Sequence, residues 1–466
     1  MKPSHGQEGH PSSGMRALCV LCSLGVLAGA MEETRAAPPK EPTGVITGIE
    51  FTGNKVTRAK ILRQEMQIKE GDVADPVLIE LSRQAIMDLG LFTSVRAYLE
   101  PRVGGLFLRI AVKEKYYILP VPKLNRDDDN KYSIGAEISF DNLSGLNQKL
   151  KLRYESEDAD GQADNQKITN TLLSFTYPRV AGSAWLLHSE LTQTYSPREV
   201  NAGSIFNLVP TALPDPLDTL YKKEAWTMAV QASRWLNPLG LSNGWQLGSG
   251  LVWRHNSYDC LGGDCVQGQS NSQFQDAQAV GVSLLGQYVD VRDLLFSRSG
   301  EEYGYRGELG APVLGSDTHY TRHEFFYRQY VTFPERLHEN IDIQAKLGLS
   351  SGDIFATDTY AYSLGGSKTL RGHDTGSFNG NSYFLLNIQY LRPFFGYYAF
   401  RGVLFTDIGN AYPSNTQLHL ADLKWDIGVG FRWRLKSFVK IDLRVDAAYA
   451  HDRGEWKYFL GTNEIF

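Results

Sequence analysis

The side chains best suited to chemistry lie in a glycine-rich stretch at residues 365–373, which has the sequence Gly-Gly-Ser-Lys-Thr-Leu-Arg-Gly-His. Its arginine, Arg371, carries a planar guanidinium that can donate two parallel hydrogen bonds to one carboxylate. The next residue, Gly372, lets another stretch of backbone approach closely. This chemistry fixes a loop in place and does not transform a substrate. An isolated Arg-Gly pair usually belongs to a solvated loop, so the surrounding elements must decide between the two roles.

A second candidate is the pair of cysteines Cys260 and Cys265, which lie in a stretch rich in Gly, Asp and Ser. In an exported protein a local disulfide between them is the expected state. A metal site is the alternative, but only these two thiols are close, and His255 is the sole imidazole nearby. We therefore predict a disulfide and no metal.

Motifs for catalysis or cofactor binding do not support an enzyme. The sequence has no Gly-rich phosphate loop and no His-Glu-x-x-His motif, so neither a catalytic activity nor a cofactor is expected. The acidic run at 127–129 is more typical of a solvated loop than of a cation site. A net charge of -5 argues against a nucleic-acid partner.

From about residue 131 to the end, short segments alternate apolar and polar residues. Near the C-terminus the polar face of one such segment carries four charged residues in a row. A soluble sheet rarely turns such a face inward, whereas a membrane β-barrel meets lipid outside and water inside. A large soluble β-sandwich is the alternative. The four charged residues are Lys440, Asp442, Arg444 and Asp446, and they alternate with Val439, Ile441, Leu443, Val445, Ala447 and Tyr449.

The alternation predicts a barrel of sixteen antiparallel strands over residues 116–466. An even strand number lets the sheet close and removes its edges. The longest connections are 196–223, 256–277 and 351–381, and all three join strands at the same end of the predicted barrel. Outer-membrane barrels have their long loops outside the cell, so both termini are predicted in the periplasm and the cysteine loop outside. The predicted strands are 116–125, 131–141, 148–155, 168–177, 184–195, 224–235, 245–255, 278–290, 301–311, 319–333, 340–350, 382–391, 400–408, 424–434, 438–449 and 455–466.

The region before the barrel divides into three parts. Residues 1–30 are expected to be a signal peptide, because Arg16 precedes an apolar run that ends in small residues; Met15 is an alternative start. Residues 31–44 are rich in proline, which predicts a linker. The pattern of residues 45–115 predicts a small α/β domain. Its predicted elements are a strand at 45–51, a helix at 57–66 with Thr57 as N-cap, a helix from Asp75-Pro76 to Gly90, and strands at 95–99 and 106–112.

This small domain resembles a POTRA domain, the periplasmic module of the BamA/TamA superfamily of outer-membrane assembly barrels. Gly90 ends a helix, Phe92 fills the small core, and the last strand leads into the barrel. Only one such module fits before the barrel, whereas the BamA type carries several. The matching residues are Gly53-Asn54, Gly71, Leu89-Gly90-Leu91-Phe92 with Val95, and Val112-Lys113-Glu114.

The glycine-rich stretch is similar to the loop motif of the same superfamily, a hydrophobic-Arg-Gly-aromatic sequence after a glycine pair. In that family the loop folds back into the lumen, and its arginine meets an acidic residue on a neighbouring strand. The resemblance implies that Arg371 is this arginine and that Asp407 is its partner. His373 stands where the family has an aromatic residue. The matching loop residues are Gly365, Gly366, Leu370, Arg371, Gly372 and His373.

The resemblance implies a protein of the bacterial outer membrane that assists the insertion or assembly of outer-membrane proteins, or translocates polypeptides. Its expected partners are an unfolded polypeptide client at the POTRA domain, the outer-membrane lipid and accessory proteins. The terminal Phe466 resembles the aromatic signal that outer-membrane proteins present to the assembly machinery; an unremarkable terminus is the alternative. Two other functions stay open: a dedicated secretion pore for one partner protein, and a passive channel or surface antigen without assembly activity.

Overall fold

The computed structural model describes residues 44–126, 132–158, 167–200, 219–237, 242–262, 276–352, 361–374, 376–394, 396–438 and 442–461. The predicted signal peptide and all but the last residue of the predicted linker lie outside these residues. Among the described residues, no helix combines the length and the apolar character needed to cross a bilayer.

The N-terminal domain packs two helices against a three-stranded sheet. Its strands lie in the order β1-β3-β2, with β1 parallel to β3 and β2 antiparallel to it. The apolar side chains of all five elements meet in one core, in which Phe92 is fully buried. The elements are β1 (Ile46–Thr52), α1 (Ala59–Gln64), α2 (Pro76–Asp88), β2 (Phe92–Arg102) and β3 (Gly105–Glu114).

The sequence explains the ends of the second helix better than those of the first. The Asp75 side chain accepts a hydrogen bond from the Val77 N–H at the start of α2, and Gly90 takes a positive φ of 73° just after its end. The predicted N-cap of α1 is wrong: Arg58 occupies that position and makes no side-chain cap bond. Thr57 instead donates its N–H to Glu114 over 2.7 Å.

The remaining chain forms one antiparallel sheet of sixteen strands, joined mostly in sequence order. Each predicted barrel strand overlaps one of these strands, which confirms the predicted fold class. The strands are β4 (Ile118–Arg126), β5 (Tyr132–Leu143), β6 (Gln148–Asp158), β7 (Lys167–Tyr177), β8 (Trp185–Val200), β9 (Thr219–Trp235), β10 (Gly244–Gly262), β11 (Ala277–Asp293), β12 (Arg298–Gly310), β13 (Tyr320–Phe333), β14 (Arg336–Gly352), β17 (Ser382–Phe394), β18 (Tyr397–Tyr412), β19 (Lys424–Arg434), β20 (Asp442–Ala450) and β21 (Glu455–Gly461).

Two short strands that the sequence did not predict form a hairpin outside this sheet. They are β15 (Tyr362–Leu364) and β16 (Phe378–Gly380), and they frame the glycine-rich stretch. Short 3₁₀ turns occur at Val180–Gly182, Pro312–Leu314, Asn415–Gln417 and Leu420–Asp422.

Burial along the strands is the reverse of that in a soluble protein. In β20 the charged residues Asp442, Arg444 and Asp446 are at most 3% exposed, whereas Val445 is 50% exposed. In β19, Ile427 and the apolar residues two and four positions on face outward in the same way. Charges inside and apolar side chains outside are the pattern of a transmembrane barrel.

The two ends of the sheet meet at what we call the seam, between β4 and β21. Their Cα atoms approach within 8 Å, so the sheet curls into a barrel. Across the part of the chain that the structure describes, no strand pairing joins β4 to β21. Among the described residues, the seam is therefore the place where the barrel wall lacks a continuous hydrogen-bonded ladder.

Candidate functional site

The glycine-rich stretch lies in the connection between β14 and β17, folded onto the wall of the barrel. Tyr362, in β15, donates its hydroxyl to the carbonyl oxygens of His323 and Leu349, both over 2.9 Å. Leu370 is fully buried in an apolar cluster that also contains Tyr383 from β17. Apolar packing and wall contacts thus hold the loop at both its base and its tip.

The glycine pair shapes the loop into a tight turn. Gly365 and Gly366 have φ values of 112° and 87°, where L side chains are strained. A Cβ on Gly365 would lie 2.1 Å from the carbonyl oxygen of Asp374. Gly366 donates its N–H to the carbonyl of His373 over 2.8 Å, which closes the turn around Arg371.

Arg371 is fully buried and lies against Asp407 of β18. Its Nε and Nη2 each donate to one carboxylate oxygen over 2.6 Å, and its backbone N–H adds a third contact at 3.2 Å. The guanidinium also stacks over Phe405, 3.3 Å from the ring centroid. Asn387 of β17 donates to Asp407 and to the Thr369 carbonyl, each over 2.7 Å. The structure therefore brings together the arginine and the acid that the sequence paired.

The next two loop residues bind a different carboxylate. Gly372 donates its N–H to Asp426 of β19 over 2.7 Å, and a Cβ at this position would lie 2.7 Å from that carboxylate. The His373 ring lies between two acids, with Nδ1 3.2 Å from Asp426 and Nε2 2.9 Å from Asp452. It also packs edge-on against Phe378 of β16. His373 thus keeps a ring contact and lies within reach of two carboxylates.

A further carboxylate completes a network of charged side chains beneath the loop. Asp446 of β20 lies 3.7 Å from Arg371 Nη1, accepts a hydrogen bond from Arg432 over 2.6 Å, and also accepts one from Arg444. Sequence reasoning placed Asp446 and Arg444 on the inner face but gave them no partner. It assigned no role to Asp426, although the alternation in β19 puts that residue on the same face. Strand register was the missing information, since Asp407 and Asp426 are direct cross-strand partners.

The other predicted site residues do not join this network. Cys260 lies within β10 rather than in a loop, and Cys265 lies outside the described residues, so the disulfide stays a prediction. Phe466 also lies outside them, and its proposed signal stays a prediction. In the described part of the chain, no cluster of three or more His, Cys, Asp or Glu side chains could hold a metal ion.

The N-terminal domain contacts the barrel through the short turns at one end of the strands. Glu114 accepts hydrogen bonds from the N–H groups of Val56 and Thr57. Burial alone would raise the pKa of Glu114, but these hydrogen bonds hold the pKa below its ordinary value. The Thr57 hydroxyl accepts a hydrogen bond from Asn142 over 2.8 Å, at the end of β5 next to the turn that leads to β6. Gly145 of the same turn accepts from the Arg58 N–H over 3.0 Å.

Further contacts join both helices of the domain to three more turns. Glu65, just after α1, accepts two hydrogen bonds from Arg179 over 2.7 and 2.9 Å, and both side chains are buried. Arg179 also donates to Ser242 in the following turn over 3.2 Å. Asp88, the last residue of α2, accepts from the Asp293 N–H over 2.8 Å. The domain is docked across four turns.

Known protein families match both parts of the chain. Residues 142–450 match the Omp85 superfamily domain, and residues 44–115 match the surface antigen variable number repeat of POTRA type. The chain belongs to the Omp85 superfamily. The match confirms the resemblance to the BamA/TamA superfamily that the sequence suggested. No curated protein matches the chain.

Solved structures show the same fold at low sequence identity. BamA from Haemophilus ducreyi lacking POTRA domains 1–3 is 17% identical, with a TM-score of 0.53 over 90% of this chain and 84% of that one. CdiB from Acinetobacter baumannii is 13% identical, with a TM-score of 0.57 over 90% and 74%. CdiB from Escherichia coli is also 13% identical, with a TM-score of 0.58 over 90% and 76%.

The location of this Omp85 protein follows from the family and the fold. It resides in the bacterial outer membrane, with its POTRA domain in the periplasm. The strand ends and turns that carry Asn142, Arg179, Ser242 and Asp293 contact that domain, so they lie at the periplasmic end of the barrel. The glycine-rich stretch is attached to strand ends on the opposite side, in the connection between β14 and β17.

Proposed function

We propose that this protein assists the insertion or assembly of other outer-membrane proteins. The observation that carries the proposal is the seam, where β4 and β21 lie side by side without a ladder among the described residues. An unpaired strand edge is a template for another strand. In a membrane such an edge is energetically unfavourable unless a partner forms hydrogen bonds with its backbone groups. A client strand can form these hydrogen bonds.

The POTRA domain supplies the first contact with the client. Its strand β2 lies at the edge of the three-stranded sheet and pairs only with β3 in the described residues. An unfolded polypeptide in the periplasm adds to this edge by β-augmentation. The domain sits on the periplasmic turns, so it delivers the client close to the seam. Accessory proteins that bind the same domain would act at this stage.

The loop around Arg371 holds neighbouring strands of the barrel wall together while the seam opens. Its ion pairs reach Asp407 and Asp446, on strands β18 and β20. Gly372 and His373 add Asp426 of β19. The loop thus ties together three neighbouring strands close to the seam, and it stabilises the wall that must stay closed while the seam opens.

A second candidate function is a dedicated secretion pore for one partner protein. The two CdiB structures, with TM-scores of 0.57 and 0.58, are at least as similar to this chain as BamA, at 0.53. A passive channel or surface antigen without assembly activity is the third candidate.

Reconstitution distinguishes these functions. The purified protein is placed in liposomes, an unfolded outer-membrane barrel is added as client, and client folding is followed over time. Faster folding than in empty liposomes, lost on deletion of residues 45–115, is the expected result for an assembly factor. Unchanged client folding together with steady ion conductance would contradict the proposal and favour a pore or passive channel. A variant with Glu70→Gln serves as the matched control, because its contacts, to Arg63 and to the Ile49 N–H, lie within the POTRA domain.

A further inference from the structure

Three arginines converge on one carboxylate, that of Asp446 on the inner face of β20. Arg432 of β19 donates to both carboxylate oxygens, over 2.6 and 3.3 Å. Arg444 donates from Nε to Oδ2, and Nη1 of Arg371 lies 3.7 Å from that same oxygen. All three arginines are at most 5% exposed. These arginines, which we call the arginine cluster, therefore share a single buried carboxylate.

The charges of the arginine cluster do not balance. Arg371 has a carboxylate of its own, because its Nε and Nη2 bind the two oxygens of Asp407. Asp446 must then neutralise both Arg432 and Arg444. Three cations thus face two anions, and one positive charge remains in excess. Burying a charge without a partner is strongly unfavourable, so a further negative charge at this place would stabilise the fold.

The neighbouring acids do not supply that charge. Asp426 of β19 lies against the His373 ring. Asp442 of β20 accepts two hydrogen bonds from Arg434, both over 2.7 Å. Among the residues that the structure describes, neither carboxylate forms an ion pair with Arg444. Each of these acids already lies beside a basic side chain of its own, and the excess charge stays with the arginine cluster.

Two nitrogens of the arginine cluster also lack a hydrogen-bond acceptor. Nη1 of Arg371 and Nη2 of Arg444 are buried, and no acceptor in the described part of the chain reaches either of them. Both guanidinium groups border the same oxygen, Oδ2 of Asp446. Buried polar groups are nearly always hydrogen-bonded. The two donors therefore point to an acceptor that the protein itself does not provide.

We propose that a small inorganic anion, chloride, binds between Arg371 and Arg444 beside Asp446. Chloride supplies the missing negative charge and accepts hydrogen bonds from both nitrogens, whereas a water molecule would accept the hydrogen bonds and leave the charge. The surroundings favour a monatomic ion. The Phe405 ring lies 3.3 Å from the Arg371 guanidinium, and a Cβ on Gly430 would lie 2.0 Å from Asp446 Oδ1.

The bound ion would strengthen the weakest charge contact of the glycine-rich loop. Arg371 meets Asp407 of β18 over 2.6 Å, but it meets Asp446 of β20 only over 3.7 Å. An anion held by Arg371 and Arg444 at once joins the loop to β20 directly. The attachment of the loop to this strand then depends on chloride. This dependence is separate from the proposed assembly function and needs no client.

Bromide locates the ion directly, because it has the same charge and scatters X-rays anomalously. The full chain is crystallised in sodium bromide, and an anomalous difference map is calculated. We expect a peak in contact with both Arg371 and Arg444. A map without a peak at this position, or with peaks only on the protein surface, would overturn the proposal.

The stability of the wild-type protein provides the second test. Urea unfolding in lipid vesicles is compared in sodium chloride and in sodium gluconate at equal ionic strength, since gluconate is too large to replace chloride. The equilibrium constant of unfolding should fall by about tenfold when chloride is present at about ten times its dissociation constant. Equal stability in the two salts at every concentration would contradict chloride binding.

Two variants assign the salt effect to the arginine cluster. Arg444→Met removes the excess charge and should abolish the difference between chloride and gluconate. The matched control is Arg306→Met, which removes an inner-face arginine that has its own carboxylate, Glu324, at 3.0 Å, and the difference should persist. A difference that persists in Arg444→Met, or that disappears in both variants, would overturn the assignment. If Arg444→Met does not fold, the bromide map of the wild type decides.

Discussion

The loop that carries Arg371 and the POTRA domain are both attached to the same barrel, but in physically different ways. The side chains of Arg371, His373 and Asp407 are completely buried. The POTRA domain makes one buried ion pair, Glu65 with Arg179, and several contacts that water can replace, such as the exposed hydrogen bond from Arg58 to Ser144. The difference predicts that the loop stays part of the wall, whereas the domain detaches more readily.

The largest effect should come from removing the carboxylate that neutralises the loop arginine. Asp407→Ala leaves the Arg371 guanidinium buried without its main partner, and we expect a loss of about 3–5 kcal/mol in the free energy of unfolding. Urea unfolding of the barrel in lipid vesicles, followed by tryptophan fluorescence, measures this loss. The control is Arg336→Gln, which removes a solvent-exposed guanidinium from its contact with Glu339 and should cost far less. Equal losses in the two variants would show that the loop is not an essential part of the wall.

A smaller effect should follow from breaking the buried pair that holds the POTRA domain. Glu65→Gln removes a charge-assisted contact with Arg179, and docking should weaken by about 1.5–3 kcal/mol while the domain and the barrel stay folded. Spin labels on the domain and on a periplasmic turn would report a broader distance distribution. Glu70→Gln, in the same domain, should leave the distribution unchanged. A distribution unaffected by Glu65→Gln would contradict the predicted release.

The smallest effect should be a pH dependence of docking. Burial raises the pKa of Asp88 from its ordinary value of 3.8 to about 6, against the hydrogen bonds from Asp293 and Gln84. Because the docked state binds the proton more tightly, docking is strongest below about pH 4 and weakens as the pH rises through 6. The carboxyl is only partly buried, so the docking equilibrium should change by less than about tenfold. The same spin-label distances, recorded from pH 4.5 to pH 7.5, measure the change, and Asp88→Asn should abolish it.

The sequence predicted the barrel strands well because lipid outside and water inside impose a strict alternation along each of them. It also predicted the contact between Arg371 and Asp407, since both residues lie in recognisable motifs. It could not predict the hairpin of β15 and β16, because three residues are too few for a pattern. Nor could it pair Asp446 with Arg432, because strand register depends on the whole sheet.

Thr57 shows why a local motif can mislead. A threonine before a helix favours an N-cap, but Glu114 and Asn142 take up its N–H and its hydroxyl. Contacts between the domain and the barrel override the local preference at this position.

The most direct test of the difference between loop and domain is a pair of reversible tethers. In a chain whose four cysteines are replaced by serine, one variant carries Arg58→Cys with Ser144→Cys, and the other carries Asp374→Cys with Arg453→Cys. Both residue pairs are in contact and exposed to solvent. Each variant is treated with a cleavable bis-maleimide, and client folding in liposomes is measured before and after cleavage. We predict that the domain tether stops the acceleration until it is cleaved, while the loop tether leaves it intact. Full acceleration with the domain tethered, or its loss with the loop tethered, would contradict the account.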